Sequence, residues 1–250
     1  MRLTILGSGT NVHPTRAAAG YLVQTDQTLL LDLGPRTLMN LIRTGVDRHR
    51  LTHLLFSHFH ADHFSDFITF FFDEVSYARH VAPRPDLTII GPRGTRRLFH
   101  AILSSFPGFR QARFRVRLRE VADRSFQIGE TRVTPRTVVH SPRLHCLGYR
   151  IERGGHSLAY SGDAVDCPAL VRLCAGADLA VLDCSFPAGH PGTGHLRADE
   201  CGRVAAEAGV GRLVLSHFYP VAERADVRRQ AGRAFKGKIV LGKDLLSLKV

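Results

Sequence analysis

The chain has 250 residues, 44% hydrophobic and 22% charged, proportions that suit a globular protein and exclude a disordered or collagen-like one. This length fits one large α/β domain with a sizeable core or two small ones. No apolar run approaches the ~20 residues of a membrane span. The net charge is +12, and thirty of the 34 cationic residues are Arg.

The predicted elements alternate strands with helices. Met1–Gly7 reads straight into a short strand, Leu3–Leu6, without the long apolar stretch and cleavage site of a signal peptide. Strands follow at Gly20–Gln24 and Thr28–Leu33, then a helix over Pro35–Thr44 and a buried strand over Leu51–Ser57. Asp62–Ala78 is predicted as one helix, because Phe64, Phe67, Ile68, Phe71, Phe72 and Val75 follow the spacing of a single helix face. That stripe suits core packing, with substrate contact as the alternative. Further strands are predicted at Leu87–Ile90, Arg113–Val121, Thr131–Val139, Gly148–Glu152, Ser157–Ser161, Leu179–Asp183, Arg212–Ser216 and Lys238–Leu241. Helices are predicted at Gly94–Ser104, Pro168–Ala175, Ala198–Ala208 and Val221–Phe235. No linker or low-complexity tract divides the chain, so one domain over residues 1–250 is expected.

Five Cys without a CxxC pair argue against a disulfide framework and against a cysteine zinc site, and a reducing cytoplasm is the simplest compartment. The Arg excess suits phosphate recognition, because the planar fork binds oxyanions bidentately; a plain preference for Arg codons accounts for it equally well. Arg113, Arg115, Arg117 and Arg119 would share one strand face, either a solvated exterior or an anion-binding strip.

The strongest local signal is His58-Phe59-His60-Ala61-Asp62-His63. Four metal-competent side chains fall within six residues, directly after a buried strand. Imidazole and carboxylate suit Zn²⁺, with Fe²⁺ or Mn²⁺ as alternatives. Six residues cannot complete two coordination spheres, so other donors must come from other strand ends. His140, Asp163 and His217 each stand where a predicted strand meets a loop. Leu54-Leu55-Phe56-Ser57-His58-Phe59 is echoed by Leu213-Val214-Leu215-Ser216-His217-Phe218, as though two similar halves each delivered a His to one site.

The HxHxDH run with His140, Asp163 and His217 downstream resembles the metallo-β-lactamase superfamily. The likeness extends to Gly7-Ser8-Gly9-Thr10, Leu31-Asp32-Leu33-Gly34 and Leu215-Ser216-His217-Phe218-Tyr219-Pro220. Gly148-Tyr149-Arg150-Ile151 and Ser161-Gly162-Asp163 look most like the ribonuclease Z-type branch, the phosphodiesterases that mature tRNA 3′ ends. The resemblance implies an α/β fold, a four-layer αββα sandwich, with a dinuclear site at one edge of its two sheets. By position, His58, His60 and His140 would bind one metal, Asp62, His63 and His217 the other, and Asp163 would bridge them. His145 competes with His140 for its place, and His140 is favoured because it follows its strand immediately. His145 and Arg143 would then serve the substrate mouth. Two cations can share a hydroxide that attacks a phosphorus or carbonyl centre, with Asp62 orienting the water proton.

In the ribonuclease Z branch a His assisted by a Glu protonates the leaving group. Here Asp183 would replace that Glu and His195 would be the acid, or the two are a strand-end cap and a loop residue. Asp32 and Asp244 are expected either to orient ligand imidazoles or to form turns. The long Gly- and Pro-rich arm of the ribonuclease Z enzymes has no counterpart in this sequence, which weakens tRNA maturation as the activity. The expected enzyme is a compact zinc-dependent phosphodiesterase acting on nucleotides or flexible nucleic acid. The competing class is a hydrolase of carboxylic esters, lactones or amides on the same two-metal site. No membrane partner is expected, and family analogy suggests a homodimer.

Overall fold

A computed structural model describes all 250 residues. Its strands form two seven-stranded sheets. The first contains β1 (Arg2–Gly7), β2 (Gly20–Gln24), β3 (Thr28–Leu31), β4 (His53–Leu55), β5 (Leu87–Gly91) and β6 (Val116–Glu120). The second contains β7 (Phe126–Ile128), β8 (Thr131–Val138), β9 (Cys146–Arg153), β10 (His156–Tyr160), β11 (Leu179–Asp183), β12 (Arg212–Ser216) and β13 (Lys238–Leu241). The C-terminal strand β14 (Ser247–Lys249) returns to the first sheet and pairs antiparallel with β1, Leu3 opposite Leu248.

The sheets follow one plan. In spatial order the first runs β14-β1-β2-β3-β4-β5-β6 and the second β7-β8-β9-β10-β11-β12-β13. In each, the first four strands are antiparallel neighbours and the last four are parallel.

Side-chain alternation builds the layers. Leu29, Leu31, Leu55, Tyr149, Leu179, Val181 and Val214 meet between the sheets. Their neighbours Leu30 and Leu54 face α1 (Thr37–Arg43), α3 (Phe67–His80) and α4 (Thr95–Ser105), while Ala180, Leu182, Leu213 and Leu215 face α5 (Pro168–Cys174), α6 (Ala198–Glu207) and α7 (Val227–Ala231). Strands apolar throughout are therefore strands covered on both faces, and the molecule is a four-layer αββα sandwich. No helix is long and apolar enough to cross a membrane. All five cysteines are free thiols.

Several predicted boundaries move. The helix predicted over Asp62–Ala78 is two helices, α2 (Ala61–Phe64) and α3. The break falls at Ser65-Asp66, where the Asp66 carboxylate accepts the backbone N–H of Leu38, 3.0 Å away at the start of α1. The break rotates the apolar stripe: Phe67, Phe70, Phe71 and Val75 are buried, but Phe72 is 62% exposed. The helix predicted over Val221–Phe235 is reduced to a 3-10 turn, Ala222–Arg224, and the short α7, which Asp226 caps by accepting the Arg229 N–H. The strand predicted over Arg113–Val121 begins only at Val116. It is an edge strand, and its Arg residues face solvent: Arg117 pairs with Asp86 and Arg119 lies over the Phe126 ring. Charged side chains on such an edge discourage pairing with another chain.

Candidate active site

The candidate residues converge at one end of the sandwich, between the two sheets. The first sheet delivers four of them from a single loop. After β4 a short loop carries His58 and His60 and then turns into α2, which carries Asp62 and His63. The second sheet delivers one residue per strand: His140 after β8, Asp163 after β10, Asp183 at the end of β11, His217 after β12.

Left-handed backbone serves the site at three points. His217 has φ 61° and Asp32, directly after β3, has φ 54°, both in the left-handed region that costs a non-glycine residue roughly 1–3 kcal/mol. Gly162 has φ 58°, and a Cβ there would lie 2.7 Å from the Leu147 carbonyl oxygen. Only glycine makes the turn that aims Asp163 inward.

The donors form two groups that share Asp163. In the first, His60 Nδ1 lies 3.1 Å from His58 Nε2 and 3.0 Å from His140 Nε2. Asp163 Oδ2 lies 3.6 Å from His58 Nε2 and 3.7 Å from His140 Nε2. In the second, His63 Nε2 lies 3.3 Å from His217 Nε2, and Asp163 Oδ1 lies 3.2 Å and 3.5 Å from those two nitrogens. Asp62 Oδ2 completes it, 3.6 Å from His217 Nε2. Each Asp163 oxygen therefore faces a different group.

This spacing tests whether the residues fit a metal. Donors bound at 2.0–2.2 Å to one tetrahedral ion lie roughly 3.3–3.6 Å apart, and the separations of 3.0–3.7 Å in the first group and 3.2–3.6 Å in the second bracket that edge. The far sides of the rings agree. His58 Nδ1 is 3.1 Å from Ser57 Oγ, which itself donates to Asp32 Oδ2. His63 Nδ1 donates to Asp32 Oδ2 at 2.9 Å, His140 Nδ1 to the Gly194 carbonyl at 2.6 Å, and His217 Nδ1 to Ser185 Oγ at 3.1 Å. With Nδ1 holding the proton, each of these four Nε2 atoms turns a lone pair into the cluster. The side chains of His58, His63, His217 and Asp163 are almost fully buried, and lone pairs packed so closely need protons or a cation between them. The donor set fits divalent metal binding.

The electrostatics of the protein side chains alone point the same way. Burial works against charge on His63, but the Asp163 and Asp32 carboxylates beside it raise its pKa to about 10. Burial, reinforced by the charge on His63, holds His58 well below its ordinary value. Burial also opposes ionisation of Asp163, yet the charges on His217 and His63 hold its carboxyl well below the usual range.

Asp183 and His195 meet beside the second group. His195 Nδ1 is 2.8 Å from Asp183 Oδ2 and 3.8 Å from Asp163 Oδ2. Burial opposes a charge on His195, but Asp183 outweighs it and raises the pKa. The other Asp183 oxygen accepts the Ser185 N–H and hydroxyl, so Asp183 supports both His195 and, through Ser185, His217. Phe186 and Tyr219 stack with centroids 5.1 Å apart, and Phe186 meets the His195 ring edge-on at 5.9 Å.

His145 is not part of the cluster. Its Nε2 donates to Thr137 Oγ1 at 3.0 Å and its Nδ1 accepts the Arg93 N–H at 3.1 Å. With Arg143 it lines a groove of about 640 Å³ next to the loop that follows His140. Asp244 contacts no candidate ligand. It accepts the Ser8 N–H and hydroxyl and the Ala17 N–H, tying down the loop after β1, so of its two expected roles only the turn-forming one is seen. Asp32 holds the imidazole of His63, a candidate ligand, and also accepts the Tyr160 hydroxyl at 2.6 Å. Ser57, Ser185, Tyr160 and the Gly194 carbonyl were not foreseen. No spacing rule marks a lone hydroxyl or a backbone oxygen.

A cluster of this kind at the edge of an αββα sandwich defines a metal-dependent hydrolase. The chain belongs to the metallo-β-lactamase superfamily: residues 27–218 match the family model described as a beta-lactamase superfamily domain. It is 31% identical over 280 residues to a ribonuclease Z of Mycobacterium marinum, covering 100% of this chain and 99% of that one. It is 34% identical over 260 residues to an uncharacterised protein of Mycobacterium tuberculosis, covering 96% of this chain and 88% of the relative. The metallo-beta-lactamase fold protein YhfI from Bacillus subtilis superposes with a TM-score of 0.85 at 25% identity, over 99% of this chain and 98% of that one. The chain is a ribonuclease Z-like metal-dependent hydrolase.

Proposed function

We propose that residues 1–250 act as a single hydrolase domain and that the reaction is zinc-dependent cleavage of a phosphodiester in a nucleotide or flexible nucleic acid. The observation that carries this reading is the Asp183–His195 pair, 2.8 Å apart beside Asp163. An alkoxide leaving phosphorus is a poor leaving group and needs a proton. Asp183 fixes the His195 Nδ1 proton, which leaves the opposite ring nitrogen, Nε2, to protonate the departing oxygen.

His58, His60 and His140 would hold one cation and Asp62, His63 and His217 the other, with Asp163 between them. Two bound zinc ions supply an activated water and offset the charge that develops on the scissile group. Asp62 is kept an acceptor: burial opposes its charge, but the His217 hydrogen bond and the charge on His63 hold its carboxyl below the usual range. It can orient a water proton at the second group. The stacked Phe186 and Tyr219 rings add a flat aromatic edge beside the proton donor, suited to a sugar or base.

The test is a hydrolysis screen of the zinc-loaded protein on bis-p-nitrophenyl phosphate, a cyclic nucleotide, an unprocessed tRNA and an aryl ester. Turnover of at least one phosphodiester above the ester is expected. Preference for the ester would overturn the reading.

A further inference from the structure

We propose that the groove lined by Arg93, Arg143 and His145 is a subsite for a phosphate other than the one cleaved, so that the substrate is an oligonucleotide or a nucleotide carrying a second phosphate. The proposal rests on the phosphodiesterase reading above and narrows it.

The groove straddles the seam between the sheets, as the metal cluster does. Arg93 follows β5 of the first sheet, and Arg143 and His145 lie between β8 and β9 of the second. At about 640 Å³ it falls in the range of small-molecule sites. His145 ties the two walls together, with Thr137 on one nitrogen and the Arg93 backbone on the other.

Charge selects the occupant. Neither the Arg93 nor the Arg143 guanidinium has a hydrogen bond or ion pair within the protein, whereas Arg16, Arg48 and Arg84 are each held by a carboxylate. Glu120 is the one carboxylate in the groove, and its Oε1 is engaged by the N–H groups of Gly94 and Arg96 at 3.0 Å and 3.1 Å. Two free guanidinium forks from two loops lining one groove suit a phosphate, which each can bind bidentately. Pro142 and Leu144 add apolar surface to the groove, suited to a sugar or base.

Reach agrees with a flanking phosphate. Arg143 is three residues from His140, so their Cα atoms are at most about 11 Å apart. The Leu144 N–H bonds back to the Ser141 carbonyl at 3.3 Å, which shortens that span. Stacked nucleotides rise about 3.4 Å each, so a strand with its scissile group at the cluster places neighbouring phosphates within the groove's reach.

The probe is a thymidine dinucleotide whose internal link is an uncharged, hydrolysis-resistant methylphosphonate, with a terminal phosphate at the 5′ end, the 3′ end or neither. It is titrated by calorimetry into the zinc-loaded protein. One of the terminal phosphates is expected to tighten binding about tenfold, the scale of a charged hydrogen-bonded contact. The double variant Arg93→Gln/Arg143→Gln should lose that gain, and Arg143→Lys should retain part of it. If neither phosphate tightens binding, or if the gain survives in the double variant, the subsite is wrong. Phosphodiester turnover without any gain would overturn the subsite and leave the phosphodiesterase reading standing. A gain without phosphodiester turnover would overturn the phosphodiesterase reading, leaving the groove as a phosphate site beside a different reaction.

Discussion

The two sheets share a strand plan, yet they furnish the site in opposite ways. The first half concentrates His58, His60, Asp62 and His63 in one strand-to-helix loop. The second half spreads His140, Asp163, Asp183 and His217 over four strand ends. Equivalent positions in the two sheets still carry related residues: β3 leads to Asp32 and its counterpart β10 leads to Asp163. The Ser-His-Phe echo does not follow this correspondence. It links β4 with β12, whereas β4 corresponds in sheet order to β11. Local likeness between apolar strands is weaker evidence of a repeat than strand order. The contrast also divides the work: the loop of the first half supplies most of the donors, and the second half supplies the residues that join and complete them.

The sharpest break in that division is Asp163→Ala. It removes the one side chain that faces both donor groups, so turnover should be abolished and bound zinc should fall from two equivalents to one or fewer, by elemental analysis. Turnover with two zinc ions retained would contradict the bridging arrangement.

His195→Ala should be next in size, with a loss of about 10²–10⁴-fold on substrates with alkoxide leaving groups. The loss on p-nitrophenyl esters should be much smaller, because nitrophenolate leaves unaided. Equal losses on both would remove the proton-donor role.

Asp32→Asn probes the counterpart of Asp163 in the first half. It weakens the anchor of His63 Nδ1 without touching a donor atom, and metal affinity should drop about 10–100-fold. Competition with a chromogenic chelator measures this, and an unchanged affinity would show that Asp32 serves only the fold.

The mildest change is in pH. His63 has its pKa raised to about 10 in the protein without bound metal, so it is protonated at neutral pH and must release that proton to serve as a ligand. Zinc affinity should therefore rise with pH toward 10 and fall as pH drops, by about tenfold per unit for each proton displaced. Calorimetry in buffers of different ionisation enthalpy counts the protons released.

The amino-acid sequence by itself determined the alternation of strands and helices and the identity of the candidate donors, while the four-layer sandwich was what its resemblance to the metallo-β-lactamase superfamily implied. Strands apolar up to their last residue, such as Leu179–Asp183, announce a sheet covered on both faces, because alternate residues need partners on each side. Four metal-competent residues in six announce a site, because short-range spacing survives in the sequence. Tertiary structure alone decided how those residues are held and which of them meet. His140 and His145 are five residues apart and chemically identical, and only the path after β8 puts one in the cluster and the other across a groove. The break between α2 and α3 likewise depends on Asp66 meeting the start of α1, 28 residues away in the chain. Asp32 and Asp244 look alike as loop aspartates, but one anchors His63 and the other a loop. Asp32, Gly194 and Ser185 lie 31, 54 and 32 residues from the imidazoles they hold, and contacts that distant leave no periodicity to read; only the packing of the two sheets brings His60 to His140 and His63 to His217.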